Sequence, residues 1–141
     1  FFAAGFETSS LTMSHAMYEL ALNPDIQDKL REEVNATYAA NDGKLSYNGI
    51  NSMTYLDKIF KETLRKYPPA STIQRKAAND SIFTGTKIFI PKGTLIKIPI
   101  GALHYDPKYY LNPGKFDPER FDKNAAKSIN QMSYLPFSAG P

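Results

Sequence analysis

The sequence predicts a mainly α protein with small β-sheets. Three observations carry that expectation. Apolar residues recur at three- and four-residue spacing up to Tyr67, the period of a helix with one buried face. Pro68-Pro69 ends that pattern, because proline cannot continue a helix and disfavours helix in the residue before it. Beyond it, short runs of Ile, Phe and Thr alternate with turns built on Gly85 and Pro91-Lys92-Gly93.

The elements follow in order. Residues 1 to about 22 set Leu11, Met13, Met17, Leu20 and Leu22 among Ala and Ser, as in a helix buried on most sides. Asn23-Pro24-Asp25 restarts a helix, with Asn as N-cap, Pro in the first position and an acid in the first turn. Ile26, Leu30 and Val34 form its buried stripe, and Lys29, Arg31, Glu32 and Glu33 suit a wetter face. Asn41-Asp42-Gly43 is a turn, followed by a polar stretch to Ser52. The next helix runs from about Thr54 to Lys66, with Leu56, Ile59, Phe60, Thr63, Leu64 and Tyr67 on one face. Strands are expected over Ser81–Thr84, Lys87–Ile90 and Thr94–Ile100. From Gly101 on, Pro107, Pro113, Pro118 and Pro136 leave only short helices and loops. A long irregular region of that kind is usually functional or held by something else.

Composition narrows the function classes. The chain has 141 residues, 42% hydrophobic and 22% charged, with a net charge of +3. The positive charge is mild and spread along the chain, so a nucleic-acid partner is not favoured, while an acidic partner surface is compatible. No apolar run approaches the roughly 18 residues that cross a bilayer. With no cysteine there is neither a disulfide nor a thiolate ligand, and cysteine usage gives no compartment. The chain opens on Phe1-Phe2-Ala3-Ala4, already helical in pattern and uncapped, and closes on a loop signal at Phe137–Pro141. It reads as a piece of a larger protein.

Local chemistry concentrates in a few motifs. In Ala4-Gly5-Phe6-Glu7-Thr8-Ser9, glycine weakens the helix by about 1 kcal/mol and Thr8 is placed to bond the carbonyl of Ala4, which bends a helix. The product is either a widened groove with an acid and an alcohol at its edge, able to relay protons, or a tolerated glycine beside surface polar residues. Glu62 and Arg65 stand at i and i+3, off the apolar stripe. Alone they form an exposed ion pair; covered by a second element such as Pro118-Glu119-Arg120-Phe121, they form a buried Glu–Arg–Arg cluster that pins a loop. Arg75 reads on its own as an exposed strand-edge cation. His15 and His104, the only imidazoles, read as structural.

Taken together, Ala4-Gly5-Phe6-Glu7-Thr8, Glu62-Thr63-Leu64-Arg65, Pro118-Glu119-Arg120-Phe121 and Pro136-Phe137-Ser138-Ala139-Gly140-Pro141 resemble, in order and spacing, the signatures of the cytochrome P450 family of haem-thiolate monooxygenases. The similarity covers the whole chain. Asn23-Pro24-Asp25, Tyr55-Leu56-Asp57 and His104-Tyr105-Asp106-Pro107 resemble the microsomal type, above all insect enzymes that oxidise toxins and plant chemicals. The resemblance implies that residues 1–141 are an incomplete, C-terminal part of that fold, from the long distal helix to the start of the proximal haem loop. It implies haem iron as cofactor, and NADPH supplying electrons through a partner flavin reductase. It implies insertion of one atom of O2 into an apolar small molecule, and residence on the cytosolic face of the endoplasmic reticulum through a membrane segment not present here.

Site roles follow from the same resemblance. Glu7 and Thr8 are the catalytic proton-delivery pair, and Gly5 and Thr8 form the oxygen groove. Ala4, Gly5, Thr8, Arg75, Pro136 and Phe137 contact the cofactor, with Arg75 pairing a haem propionate. Ala3, Ala4 and the turn Ala70, Ser71, Thr72 and Ile73 contact substrate. Glu62, Arg65 and Arg120 are the structural triad. Lys58, Lys61 and Lys66 lie on the helix that, by the resemblance, faces the electron donor, where they either steer an acidic reductase surface or form an ordinary solvated face. In the family, a cysteine about three residues past Pro141 would ligate the iron and favour O–O cleavage. No metal ligand is assigned within these residues, and the chain by itself is expected to be inactive. Two alternatives remain: a haem-thiolate isomerase or dehydratase of peroxides, against which Thr8 beside Glu7 argues, and a non-enzymatic helical interaction module, which leaves the Pro-rich tail unexplained.

Overall fold

The computed structural model describes residues 1–125 and 130–139, apart from the side chains of residues 3 and 131. Helix α1 spans Phe2–Leu22 and α2 spans Pro24–Ala40, joined by Asn23 alone. With so short a link, Asn23 serves the helix behind it. Its backbone N–H and its side chain both donate to the Glu19 carbonyl, at 3.1 and 2.8 Å, and it makes no side-chain cap on α2, contrary to the sequence expectation. Pro24 and Asp25 do occupy the first turn of α2 as expected.

A short helix α3, Tyr47–Ser52, fills the stretch read as merely polar. Its signal is Ser46, whose hydroxyl accepts from the Gly49 N–H at 3.0 Å as an N-cap. Helix α4, Thr54–Lys66, has the bounds that its periodicity and the two prolines predict. Met53 offers α4 no side-chain cap. Glu33 of α2 supplies one, its carboxylate accepting from Tyr55 N at 2.8 Å and Leu56 N at 2.9 Å. A negative group at the positive end of a helix is favourable. Glu33 is therefore a tertiary cap rather than a solvated side chain.

Helix α4 is the hub, packing on α1, α2, a fifth helix α5 (Ile100–His104) and a 3-10 helix at Pro118–Phe121. The core is Leu20, Tyr55, Ile59 and Phe116, flanked by half-buried Ile26 and Leu30. Burying a side chain the size of Ile59 contributes about 1.5–3 kcal/mol. Two expectations of burial fail. Leu11, Met13, Met17 and Leu22 of α1 are 41–67% exposed, because the described elements pack against one side of that helix only. Phe60 is 47% exposed, because the α4 stripe turns from the core into an open cleft there.

The β structure is two antiparallel pairs. Strand β1 (Ile73–Lys76) pairs with β4 (Leu95–Ile98), with Arg75 opposite Ile96. Strands β2 (Ser81–Ile82) and β3 (Phe89–Ile90) form a hairpin, shorter than expected, whose turn carries Gly85 at φ +77°. Ile73 therefore begins a strand instead of closing a turn, and Ile100, expected as strand, opens α5. From Tyr105 onward the described chain is loops and 3-10 turns, as read from its prolines.

Candidate functional site

The Thr8 hydroxyl donates to the Ala4 carbonyl at 2.6 Å, the back-bond expected from the spacing. One turn later Thr12 repeats it on the Thr8 carbonyl at 2.9 Å. An ideal Cβ built on Gly5 would meet nothing within 4 Å, so the helix is open at that point. Thr8, Ser9, Thr12, Met13 and Ala16 form one wall of a cleft of about 340 Å³. Leu56, Ile59, Phe60 and Leu64 of α4 form the other wall, and Pro69 and Phe137 complete it. The hydroxyls of Thr8 and Thr12 are bonded to the helix's own carbonyls, so this wall presents little unsatisfied polarity.

The other expected site residues lie around this cleft to different degrees. Glu7 is exposed, with no side-chain hydrogen bond or ion pair among the described residues, and does not line the cleft. Ala4 and Gly5 are exposed on the same helix. Ala70, Ser71 and Thr72 are exposed and Ile73 is half-buried; Pro69, just before them, is the member of that segment in the wall. Arg75 is exposed, and its Nη2 donates to Ser138 Oγ at 2.8 Å, which ties it to the turn carrying Pro136 and Phe137. Gly140, Pro141 and the side chain of Ala3 lie outside the described residues.

Behind the cleft, the structure brings the expected triad together. Glu62 and Arg65 are 0% exposed. Arg65 grips Glu62 with two parallel bonds, Nε to Oε2 at 2.7 Å and Nη2 to Oε1 at 2.9 Å. Its other protons go to the carbonyls of His104 at 2.7 Å and Pro113 at 2.8 Å. Glu62 Oε1 also accepts from Asp117 N at 2.9 Å and sits 3.4 Å from Arg120 Nε. Arg120 donates to the Asn112 carbonyl at 2.9 Å. The loop at 112–120 is thus held on α4 by charged hydrogen bonds, the stronger class. The 3-10 helix covers the α4 face that spacing alone would leave wet.

His104 completes this anchor. Its Nε2 accepts from the Leu135 N–H at 3.0 Å, so Nδ1 carries the proton and donates to the Arg65 carbonyl at 3.0 Å. Burial keeps its pKa below the ordinary imidazole value. Both ring nitrogens are engaged, which is the structural role expected for it. Among the described residues no group of three or more His, Cys, Asp or Glu side chains is placed to hold a metal ion, and no helix is long and apolar enough to cross a membrane.

The three lysines expected to face an electron donor are already paired. Lys58 Nζ bonds Glu119 at 2.8 Å and Asp122 at 2.9 Å, Lys61 bonds Asp57 at 2.6 Å, and Lys66 bonds Glu19 at 2.7 Å. Hydrogen bonds to Glu119 and Asp122 raise the Lys58 pKa, and bonds from Lys29 and Lys58 lower that of Glu119. Lys58 and Lys29 tie Glu119 of the 3-10 helix to α4 and α2, Lys61 pairs within α4, and Lys66 pairs with α1. Sequence reading also missed Glu19, a 2% exposed carboxylate of α1 held by Lys66 and Tyr67. No local signal marks it, because its partners are a helix away.

The donor chemistry of the cleft fits a flat macrocycle with apolar faces and carboxylate arms. Two apolar helix walls and Phe137 suit the faces, and Arg75, tied through Ser138 to the turn that carries Phe137, suits an arm. Comparison with known proteins agrees. The family model described as Cytochrome P450 matches residues 1–141. The chain is 52% identical over its full length to cytochrome P450 6B1 of Papilio polyxenes. It is 48% identical to cytochrome P450 6l1 of Blattella germanica and 49% identical to probable cytochrome P450 6a14 of Drosophila melanogaster. It spans 28% of the length of each of these relatives. With the ordered motifs, the paired Glu62–Arg65 anchor and a match along its whole length, this chain belongs to the cytochrome P450 family.

Proposed function

We propose that the protein containing this chain is a haem-dependent monooxygenase. It acts on apolar small molecules, uses NADPH through a flavin reductase, and works on the cytosolic face of the endoplasmic reticulum. One observation carries the haem reading: an apolar cleft between α1 and α4 with Thr8 in its wall, and Arg75 tied through Ser138 to the turn that carries Phe137. Bound haem supplies the oxygen-activating chemistry; the residues here hold it and control protons. If haem were bound in the cleft, Leu64 and Phe137 would pack on its faces and keep water out, Arg75 would pair a propionate, the open backbone at Gly5 would leave room beside it, and Pro69 would border the substrate with the turn that follows it. Thr8 Oγ gives its own proton to the Ala4 carbonyl, which leaves the oxygen's lone pairs to accept from a donor in the cleft. Exposed Glu7, one residue away, exchanges protons with solvent and passes them toward that hydroxyl through water. Glu62, Arg65 and Arg120 fix the loop that leads to the Phe137 turn. Ala3, Ala4 and Ala70–Ile73 border the substrate.

The test uses the full-length protein with reductase, NADPH and O2 on one arm and a fatty-acid hydroperoxide on the other. Oxygenated product formed only on the first arm supports the reading. Rearranged hydroperoxide without NADPH would instead make the protein an isomerase or dehydratase.

A further inference from the structure

The contact between the last turns of α1 and α4 is polar and buried, and nothing in the chemistry above uses it. Glu19 Oε1 accepts from Lys66 Nζ at 2.7 Å and from the Tyr67 hydroxyl, and Oε2 lies 3.4 Å from Asn23 Nδ2. His15 stacks flat on the Tyr67 ring, with centroids 4.2 Å apart and planes 1° off parallel. The Tyr105 hydroxyl donates to the Lys66 carbonyl at 3.1 Å. Burial and the Glu19 carboxylate hold the Tyr67 phenol above its usual pKa, so it stays a donor at neutral pH.

What this cluster grips is the exit of α4. Tyr67 is its C-cap, with N–H to the Thr63 carbonyl at 2.8 Å, and Pro68-Pro69 follow. Two prolines have no N–H to anchor themselves, yet Pro69 stands in the cleft wall. The next backbone anchor is the Ser71 carbonyl, which accepts from Gly101 N at 3.0 Å before β1 begins. The segment between is hung from Tyr67 at one end and Ser71 at the other. An apolar contact at Tyr67 would hold the ring without fixing its direction; a hydrogen bond to a buried carboxylate fixes both.

We propose that Glu19 is a positioning residue for the cleft wall: acting through the Tyr67 hydroxyl and Lys66, it sets the path of Pro68–Thr72 and so the fit of an apolar ligand against Pro69. The proposal rests on the cleft being the ligand site. The full-length haem protein tests it with two variants. Tyr67→Phe keeps the ring and removes one hydroxyl; Glu19→Gln keeps the shape and removes the charge. In the wild-type protein, 7-ethoxycoumarin should slow amide exchange at residues 70–73. In Tyr67→Phe that protection should shrink by about 3- to 10-fold, the scale of one lost hydrogen bond. Exchange across α2 and haem per polypeptide should stay unchanged, and Glu19→Gln should move in the same direction. KM for dealkylation of the probe should rise by a similar factor, with kcat within about twofold. Absence of protection in the wild-type protein sinks the ligand reading and the proposal with it. Protection fully retained in Tyr67→Phe overturns the proposal alone. So does a rise in exchange spread evenly over the chain, which makes Glu19 an ordinary stability residue.

Discussion

Replacing Glu62 by Ala removes the carboxylate that faces both Arg65 and Arg120. Three hydrogen bonds disappear: Arg65 Nε at 2.7 Å, Arg65 Nη2 at 2.9 Å and Asp117 N at 2.9 Å. Arg65 keeps its bonds to His104 and Pro113 but retains a full charge at 0% exposure. Breaking a buried pair from one side costs about 3–5 kcal/mol, against about 0–1 kcal/mol for an exposed pair. A typical domain is stable by only about 5–15 kcal/mol, so the larger figure is a substantial fraction of the whole. The loop at 112–120 would loosen first, since Asp117 N and Arg120 lose Glu62 while the Arg65–Pro113 bond and Lys58 still tie it to α4. Urea unfolding of the full-length variant, with haem measured per polypeptide, reads both consequences. The expected result is a lower midpoint and a clear deficit of haem, with Glu62→Gln falling between it and wild type. A loss below about 1 kcal/mol with normal haem content would refute the anchor.

Other perturbations separate the remaining contacts. Glu33→Ala should cost about 1 kcal/mol, the usual worth of a helix cap, read as a urea midpoint shift that Glu32→Ala does not reproduce. His104 is neutral in the fold, with a pKa below its ordinary value of 6.5. The unfolded chain therefore binds the extra proton first, so this contribution is present above pH 6.5 and is lost as pH falls toward the depressed folded value. In unfolding titrations between about pH 5 and pH 7, His104→Gln should flatten that slope. Lys58→Met should lower stability by no more than about 1 kcal/mol, and less in high salt, because its partners Glu119 and Asp122 are 45% and 43% exposed. A selective fall in reductase-driven turnover, with stability unchanged, would restore Lys58 to an electron-donor surface.

What the sequence made legible was local. The back-bond from Thr8 to Ala4 needs only a four-residue spacing, and the bounds of α4 need only a stripe and two prolines. The burial of Glu62 and Arg65 was not local. It depends on Pro118–Phe121 folding back across α4, which spacing cannot show and only the order of motifs suggested. The partners of Glu33, His104 and Glu19 lie 22, 39 and 47 residues away, and nothing near each residue announces them. The partners of Lys58 and Lys66 are hidden from local reading for the same reason, because the carboxylates that pair with them come from other elements.

Thr8 stands in the wall of the apolar cleft, and the role proposed for it there is to manage protons beside bound haem. Its most direct test is the ratio of product formed to NADPH consumed in the full-length protein, wild type against Thr8→Ala, with hydrogen peroxide measured in parallel. In Thr8→Ala, NADPH should still be consumed, product per NADPH should fall and the balance should appear as peroxide. An unchanged ratio with normal haem content would leave Thr8 a helix-bending residue with no part in proton delivery.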